Sequence, residues 1–200
     1  MTWLLLAAAY LTGAIPTSFV VGRVRGVDLR RHGSGNLGAS NAYRVLGWKA
    51  ALPIFVVDIA KGWFPAFAFP LWDGQPSPSW ALGYGAASIM GHVFSIYVGF
   101  KGGKGVATSA GVVLALAPMA MLIGLGTWGF LAWVTGYVSL ASMVAAIVVA
   151  VTVWVLAGSG PVLWLTLALA VFVVFAHRAN IRRLRAGTEN RFGRRTREAR

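Results

Sequence analysis

The chain has no cysteine and only five acidic residues in 200: Asp28, Asp58, Asp73, Glu189 and Glu198. Without cysteine it can form neither disulfides nor thiolate metal sites. No two carboxylates stand at a spacing suited to a glycosidase pair or a metal cage. Gly-x-Ser-x-Gly is absent, which removes the nucleophile elbow of a serine hydrolase. Charge of either sign is scarce at 12%, whereas 58% of residues are hydrophobic and the mean hydropathy is +0.70. That balance describes an all-α integral membrane protein, not a soluble domain. The net charge of +13 lies in loops and at the C-terminus, where it implies no nucleic-acid partner but anionic lipid and anionic substrates.

The apolar runs predict seven spans, some of them short. The first covers Trp3–Val21, with a kink at Pro16, and is read as retained because no basic region or cleavage site accompanies it. A polar segment from Gly22 to Arg44 holds five arginines, and Val45–Phe69 forms the second span. The Asp73 loop, Leu71–Ser79, has no basic residue; Trp80–Val98 follows as the third span. By the positive-inside rule, the arginine-rich loop is cytoplasmic, so the N-terminus and the Asp73 loop lie outside. Val106–Val134 reads as a hairpin bending at Ala117-Pro118, because a single span there would send the basic tail outside. Its first arm would reach only about 18 Å against a hydrocarbon core of roughly 30 Å. Two further spans, Val138–Leu156 and Pro161–Ala176, place the C-terminus in the cytoplasm. Residues 1–200 then form one domain, with 178–200 as a basic cytoplasmic tail.

Four polar groups fall on the cytoplasmic side of that topology. The stretch from Gly99 to Thr108 carries Lys101 and Lys104 among Gly99, Gly102, Gly103 and Gly105. Such a loop can turn successive backbone N–H groups toward a phosphate, with a helix N-terminus beside it. It is not a Walker P-loop, since Val98 and Gly105 stand where that motif needs glycine and a hydroxyl. It fits equally a flexible turn whose lysines face lipid. A second group, Gly33 to Asn41 with Arg44, combines small residues, side-chain donors and a guanidinium able to grip phosphate. Ser139 and Ser142 are a third, although hydroxyls in membrane helices commonly bond their own i−4 carbonyl. The fourth is His177, Asn180, Arg183, Gly187 and Glu189; Arg191, Arg194, Arg195, Arg197 and Arg200 beyond it read as a lipid-facing tail. Asp58 and Lys61, three apart inside the second span, are either a structural or a functional ion pair. Donors gathered on one face without carboxylates suit phosphate-bearing substrates handled without metal or cofactor.

Gly33-Ser34-Gly35-Asn36-Leu37-Gly38-Ala39-Ser40-Asn41 with Arg44, Gly91-His92 through Thr108, and His177 through Glu189 together resemble the bacterial acyl-phosphate:glycerol-3-phosphate acyltransferase family. The resemblance spans essentially the whole chain. It implies a monomeric seven-helix enzyme of the bacterial inner membrane, with its active site facing the cytoplasm. The reaction implied moves a fatty acyl group from acyl phosphate to the 1-hydroxyl of glycerol 3-phosphate, the first step of phospholipid synthesis. By the same resemblance, Arg44, Lys104, His177 and Asn180 carry catalysis. Ser34, Asn36, Asn41, His92, Lys101, Gly102, Gly103, Gly105, Ser142, Arg183 and Glu189 bind substrate. Ser40 replaces the usual threonine and Ser95 the usual proline, a change expected to relax the third span near His92.

Acyl phosphate already carries a good leaving group, so the expected catalysis is orientation and charge stabilisation without a covalent intermediate. The Gly102–Gly105 backbone and Lys104 are expected to hold acyl phosphate, and Arg44 with Ser34 to hold glycerol 3-phosphate. A substrate phosphate is the expected proton acceptor, with His177 as the rival base. The reading from another class is an anion or phosphate-ester transporter, which also uses glycine-broken helices with basic residues.

Overall fold

The computed structural model describes residues 1–74 and 77–192. Arg194, Arg195, Arg197 and Arg200 lie outside the described residues, as does part of the Asp73 loop. Every regular element among them is helical, as expected where no water is present to satisfy an open sheet edge. The chain divides into two compact units, Met1–Pro118 and Met119–Arg200.

The first unit contains α1 (Thr2–Ala14), α2 (Thr17–Val24), α3 (Ala39–Leu46), α4 (Trp48–Trp72), α5 (Pro78–Val93) and α6 (Val106–Leu116). Pro16 does more than kink the first span. It lacks an N–H, the helix stops, and the carbonyls at the end of α1 need other donors. Ser95 Oγ bonds Ala14 O and Lys61 Nζ bonds Ile15 O. A similar repair occurs in α4, which stays helical through Pro53, Pro65 and Pro70. Pro65 cannot donate to the carbonyl of Lys61, and Ser88 Oγ does so instead at 2.7 Å. Small residues bring the helices close: a side chain at Gly13 would strike Ser88, at Gly91 Tyr10, at Gly62 Thr108 and at Gly111 Ile59. At the far end, Asp73 accepts the hydroxyls of Thr2 and Tyr84. The Thr2 bond leads in holding the Asp73 carboxyl below its ordinary pKa, against its burial.

The second unit contains α7 (Pro118–Thr135), α8 (Val138–Ala157), α9 (Pro161–Ala176) and α10 (Arg178–Arg185). α8 packs on α9, and α10 leaves α9 at a bend of 55°.

By length and composition, five segments among the described residues can cross a membrane: 2–24, 48–72, 79–98, 118–135 and 138–157. The bent pair α9 and α10 raises the number to six. α6, with 11 residues, is the short arm anticipated before Ala117-Pro118. Two details differ from the sequence reading. Ala39–Arg44, read as part of the polar segment, and Val45–Leu46, read as the start of the second span, form one separate amphipathic helix, cut from α4 by Gly47 at φ 82°. The third span is not one helix either: α5 ends at Val93, and a single 3-10 turn follows at Ile96–Val98.

Candidate active site

In the first unit the loop before α3 is tied down by its own side chains. Asp28, singled out by no motif, accepts the Arg30 backbone N–H and receives both Nε and Nη2 of its guanidinium. Those bonds hold the Asp28 carboxyl well below the usual carboxylate range. α3 presents Asn41 inward at 1% exposure. Asn41 Nδ2 donates to Leu29 O and His32 O at 3.1 Å each, and Oδ1 accepts the Ser34 N–H at 2.8 Å. Asn41 therefore organises the loop from within. Ser34 is exposed, while Asn36 and Arg44 are half-buried.

The glycine-rich loop rests on this one. Gly102 N–H donates to Val93 O at 3.0 Å and Gly103 N–H to His92 O at 3.1 Å. These amides are engaged within the chain, so the expected phosphate cradle loses two of its members. What they gain is proximity. A Cβ at Gly102 would collide with His92 O, and one at Gly103 with His92 Nε2 and Leu37 O. Glycine is required here because three backbones and an imidazole meet. Gly105, at φ 76°, then turns the chain into α6. Beside these amides Lys104 is half-buried, Gly105 leads into the first turn of α6, and Lys101 is exposed. His92, 6% exposed, packs behind the loop.

In the second unit Glu189 is the hub. Its Oε1 accepts Ser139 Oγ at 2.9 Å and Asn180 Nδ2 at 2.6 Å, and its Oε2 accepts Arg183 Nε at 2.7 Å. Burial alone would raise its pKa. The three donors and the Arg183 charge outweigh that and hold it below the ordinary 4.5. Glu189 thus arranges Ser139, Asn180 and Arg183 around one carboxylate. Ser142 donates to Val138 O, its i−4 carbonyl, and accepts Trp128 Nε1. His177, buried at the junction of α9 and α10, sets Nδ1 2.7 Å from Val173 O. A carbonyl only accepts, so the neutral ring carries its proton on Nδ1 and a lone pair on Nε2. The group that orients the ring is thus a backbone carbonyl, which no side-chain motif could reveal.

The comparisons agree with this chemistry. The family model described as glycerol-3-phosphate acyltransferase matches residues 3–187. Glycerol-3-phosphate acyltransferases of Trichlorobacter lovleyi and Geobacter metallireducens are 43% and 46% identical to the chain. Each alignment covers 94% of this chain, and 95% and 96% of the respective relative. Crystal structures of PlsY, an integral membrane glycerol 3-phosphate acyltransferase, are 38% identical in their glycerol 3-phosphate and lysophosphatidic acid forms. They superpose with TM-scores of 0.90 and 0.85, covering 96% of this chain and 96% and 95% of theirs. With three motifs in order on an all-helical membrane fold, the chain belongs to the glycerol-3-phosphate acyltransferase family.

Proposed function

We propose that the acyl donor is acyl phosphate, and that the chain transfers its fatty acyl group to the 1-hydroxyl of glycerol 3-phosphate. The glycerol oxygen bonds the acyl carbon, the acyl–phosphate C–O bond breaks, and the hydroxyl proton leaves with phosphate. The products are lysophosphatidic acid and inorganic phosphate. The observation that carries this reading is the similarity to PlsY forms named for glycerol 3-phosphate and lysophosphatidic acid, respectively the acceptor and the product of such a transfer.

Lys104, Gly105 and the first turn of α6 hold the acyl phosphate, with charge and helix dipole acting together. Arg44 and Ser34 hold glycerol 3-phosphate, Arg44 through paired guanidinium hydrogen bonds. Asn36, Lys101, Ser142 and Arg183 bind substrate, while Gly102 and Gly103 shape the loop. His177 and Asn180 orient the acceptor, and a substrate phosphate takes the proton. The chain is a monomer of the bacterial inner membrane with seven spans, N-terminus outside and active site toward the cytoplasm.

The test is release of inorganic phosphate by purified protein given palmitoyl phosphate and glycerol 3-phosphate. Release that needs both substrates and is lost in Lys104→Ala is expected. No release from folded, lipid-supplemented protein would overturn the reading and favour a transporter of phosphate esters, to be measured as flux into vesicles.

A further inference from the structure

Beneath the glycine-rich loop lies a buried ion pair that neither the motifs nor the reaction uses. Asp58 and Lys61 are 2% and 5% exposed in the middle of apolar α4. Lys61 Nζ is 2.8 Å from Asp58 Oδ1 and bonds the Ile15 carbonyl. Thr17 Oγ1 donates to the same Asp58 oxygen at 3.1 Å. His92 Nδ1 is 3.9 Å from it, beyond hydrogen-bond range, and has no hydrogen-bond partner among the described residues. Thr17, Asp58, Lys61, His92, Gly102 and Gly103 line one small cavity, with room for about one water bonded to several of these groups.

Charges buried in a membrane helix are costly, and an apolar set of the same volume often packs as stably. Their arrangement points to a purpose above them. The imidazole has two ends: Nδ1 looks into the cavity toward Asp58, and Nε2 abuts Gly103. The carbonyl of the same residue takes the Gly103 N–H. Any tilt of the His92 ring therefore reaches the loop directly.

Resting on the reading of Lys104 and its loop as the acyl-phosphate site, we propose that Asp58, Lys61 and His92 are positioning residues for that loop. A water held among Asp58, Thr17 and His92 completes the support. The trio sets affinity for acyl phosphate without touching it.

The decisive variant is Asp58→Leu combined with Lys61→Met, which removes both charges together and leaves neither unpaired. Lys61→Met also takes the donor from the Ile15 carbonyl, so a somewhat lower thermal midpoint is expected in a protein that still folds. The KM for palmitoyl phosphate should rise about tenfold, the scale on which indirect residues modulate a site, with kcat and the KM for glycerol 3-phosphate changing far less. Thr17→Val, which exposes no charge, should shift the same KM in the same direction by less, and it decides the question should the double variant fail to fold. A folded double variant, or Thr17→Val, with the parent's KM would overturn the proposal. Binding of palmitoyl phosphate to Lys104→Ala, measured directly, separates the two levels. Weakened binding there, beside unchanged cavity variants, sinks the positioning role alone. Unchanged binding in Lys104→Ala sinks the loop as acyl-phosphate site, and the support role with it.

Discussion

Glu189 accepts the Ser139 hydroxyl at 2.9 Å across fifty residues of chain, so the end of the last motif is fastened to the first turn of α8. The same carboxylate holds Asn180 and Arg183, which makes it the keystone of the second unit's polar group. Glu189→Gln would turn an N–H₂ toward one of these donors. Losing one charged hydrogen bond costs about 1.5–3 kcal/mol. Expected is a lower thermal midpoint with activity lost in proportion to the disordering of Asn180, measured by unfolding and phosphate release on the same preparation.

Glu189 also sets a pH dependence. Its folded pKa is depressed below 4.5, so the native state binds the proton less readily than the unfolded chain. Its stabilisation is fully present above 4.5 and drains as pH falls below that value through the lowered folded pKa. The difference in unfolding midpoint between the parent and Glu189→Gln should be constant near neutrality and shrink below pH 4.5. Taking the difference cancels Asp28 and Asp73, whose depressed pKa values act in the same direction.

The glycine-rich loop predicts a contrast between two identical substitutions. Gly103→Ala places a methyl group into His92 Nε2 and Leu37 O, so the imidazole and the Leu37 backbone must move. Gly129→Ala, in α7, meets nothing within 4 Å and improves helix propensity by up to about 1 kcal/mol. Gly103→Ala should raise the KM for palmitoyl phosphate in a protein that remains inserted and helical, whereas Gly129→Ala should leave kinetics unchanged. Equal, unchanged kinetics in both would remove the close-packing role of Gly103.

The chain's spans were legible because a 20-residue apolar run has few alternatives in lipid. The short α6 and the turn at Ala117-Pro118 follow from proline chemistry and length alone, whereas Pro16, expected to kink the first span, ends its helix. The purposes of individual polar residues were less so. Asn41, His92 and Glu189 sit in motifs beside residues such as Arg44 and Lys104, and sequence proximity assigns them all to substrate. Only the fold shows that Asn41 and Glu189 have their side chains satisfied by the chain, and that His92 backs the loop from below. α3 escaped notice because Ala39–Arg44 read as part of the polar segment and Val45–Leu46 as the start of the second span. Its strongly one-sided pattern was the available signal. Asp28 lay outside every motif, and its pairing with Arg30 two residues on depends on a turn that no periodicity announces.

Asn41 should behave as a structural residue with a kinetic signature. Asn41→Ala leaves the Ser34 N–H and the Leu29 and His32 carbonyls without their partner, at about 1–3 kcal/mol for each buried group left unpaired. Asn41→Asp restores the acceptor but sets an oxygen against two carbonyls, so it should rescue little. Both variants should lower stability and raise the KM for glycerol 3-phosphate, because Ser34 and Arg44 flank the disturbed loop. A KM change with full stability would return Asn41 to the list of direct contacts.

His177 separates the two accounts of the proton. The Val173 carbonyl fixes the neutral tautomer with the lone pair on Nε2, a form competent to accept a proton and equally competent to hold a hydroxyl in place. The accounts differ in magnitude and in pH response. Loss of a general base typically costs 10²–10⁴-fold in rate, about 3–5 kcal/mol of barrier. It also removes the acid limb of kcat/KM that the imidazole imposes. Loss of a positioning contact costs less and leaves the shape of the profile alone. With a substrate phosphate as acceptor, His177→Gln should lower kcat about tenfold and retain the parent's pH profile for phosphate release. A loss nearer a thousandfold, with a flattened acid limb, would make His177 the base and the substrate phosphate a bystander.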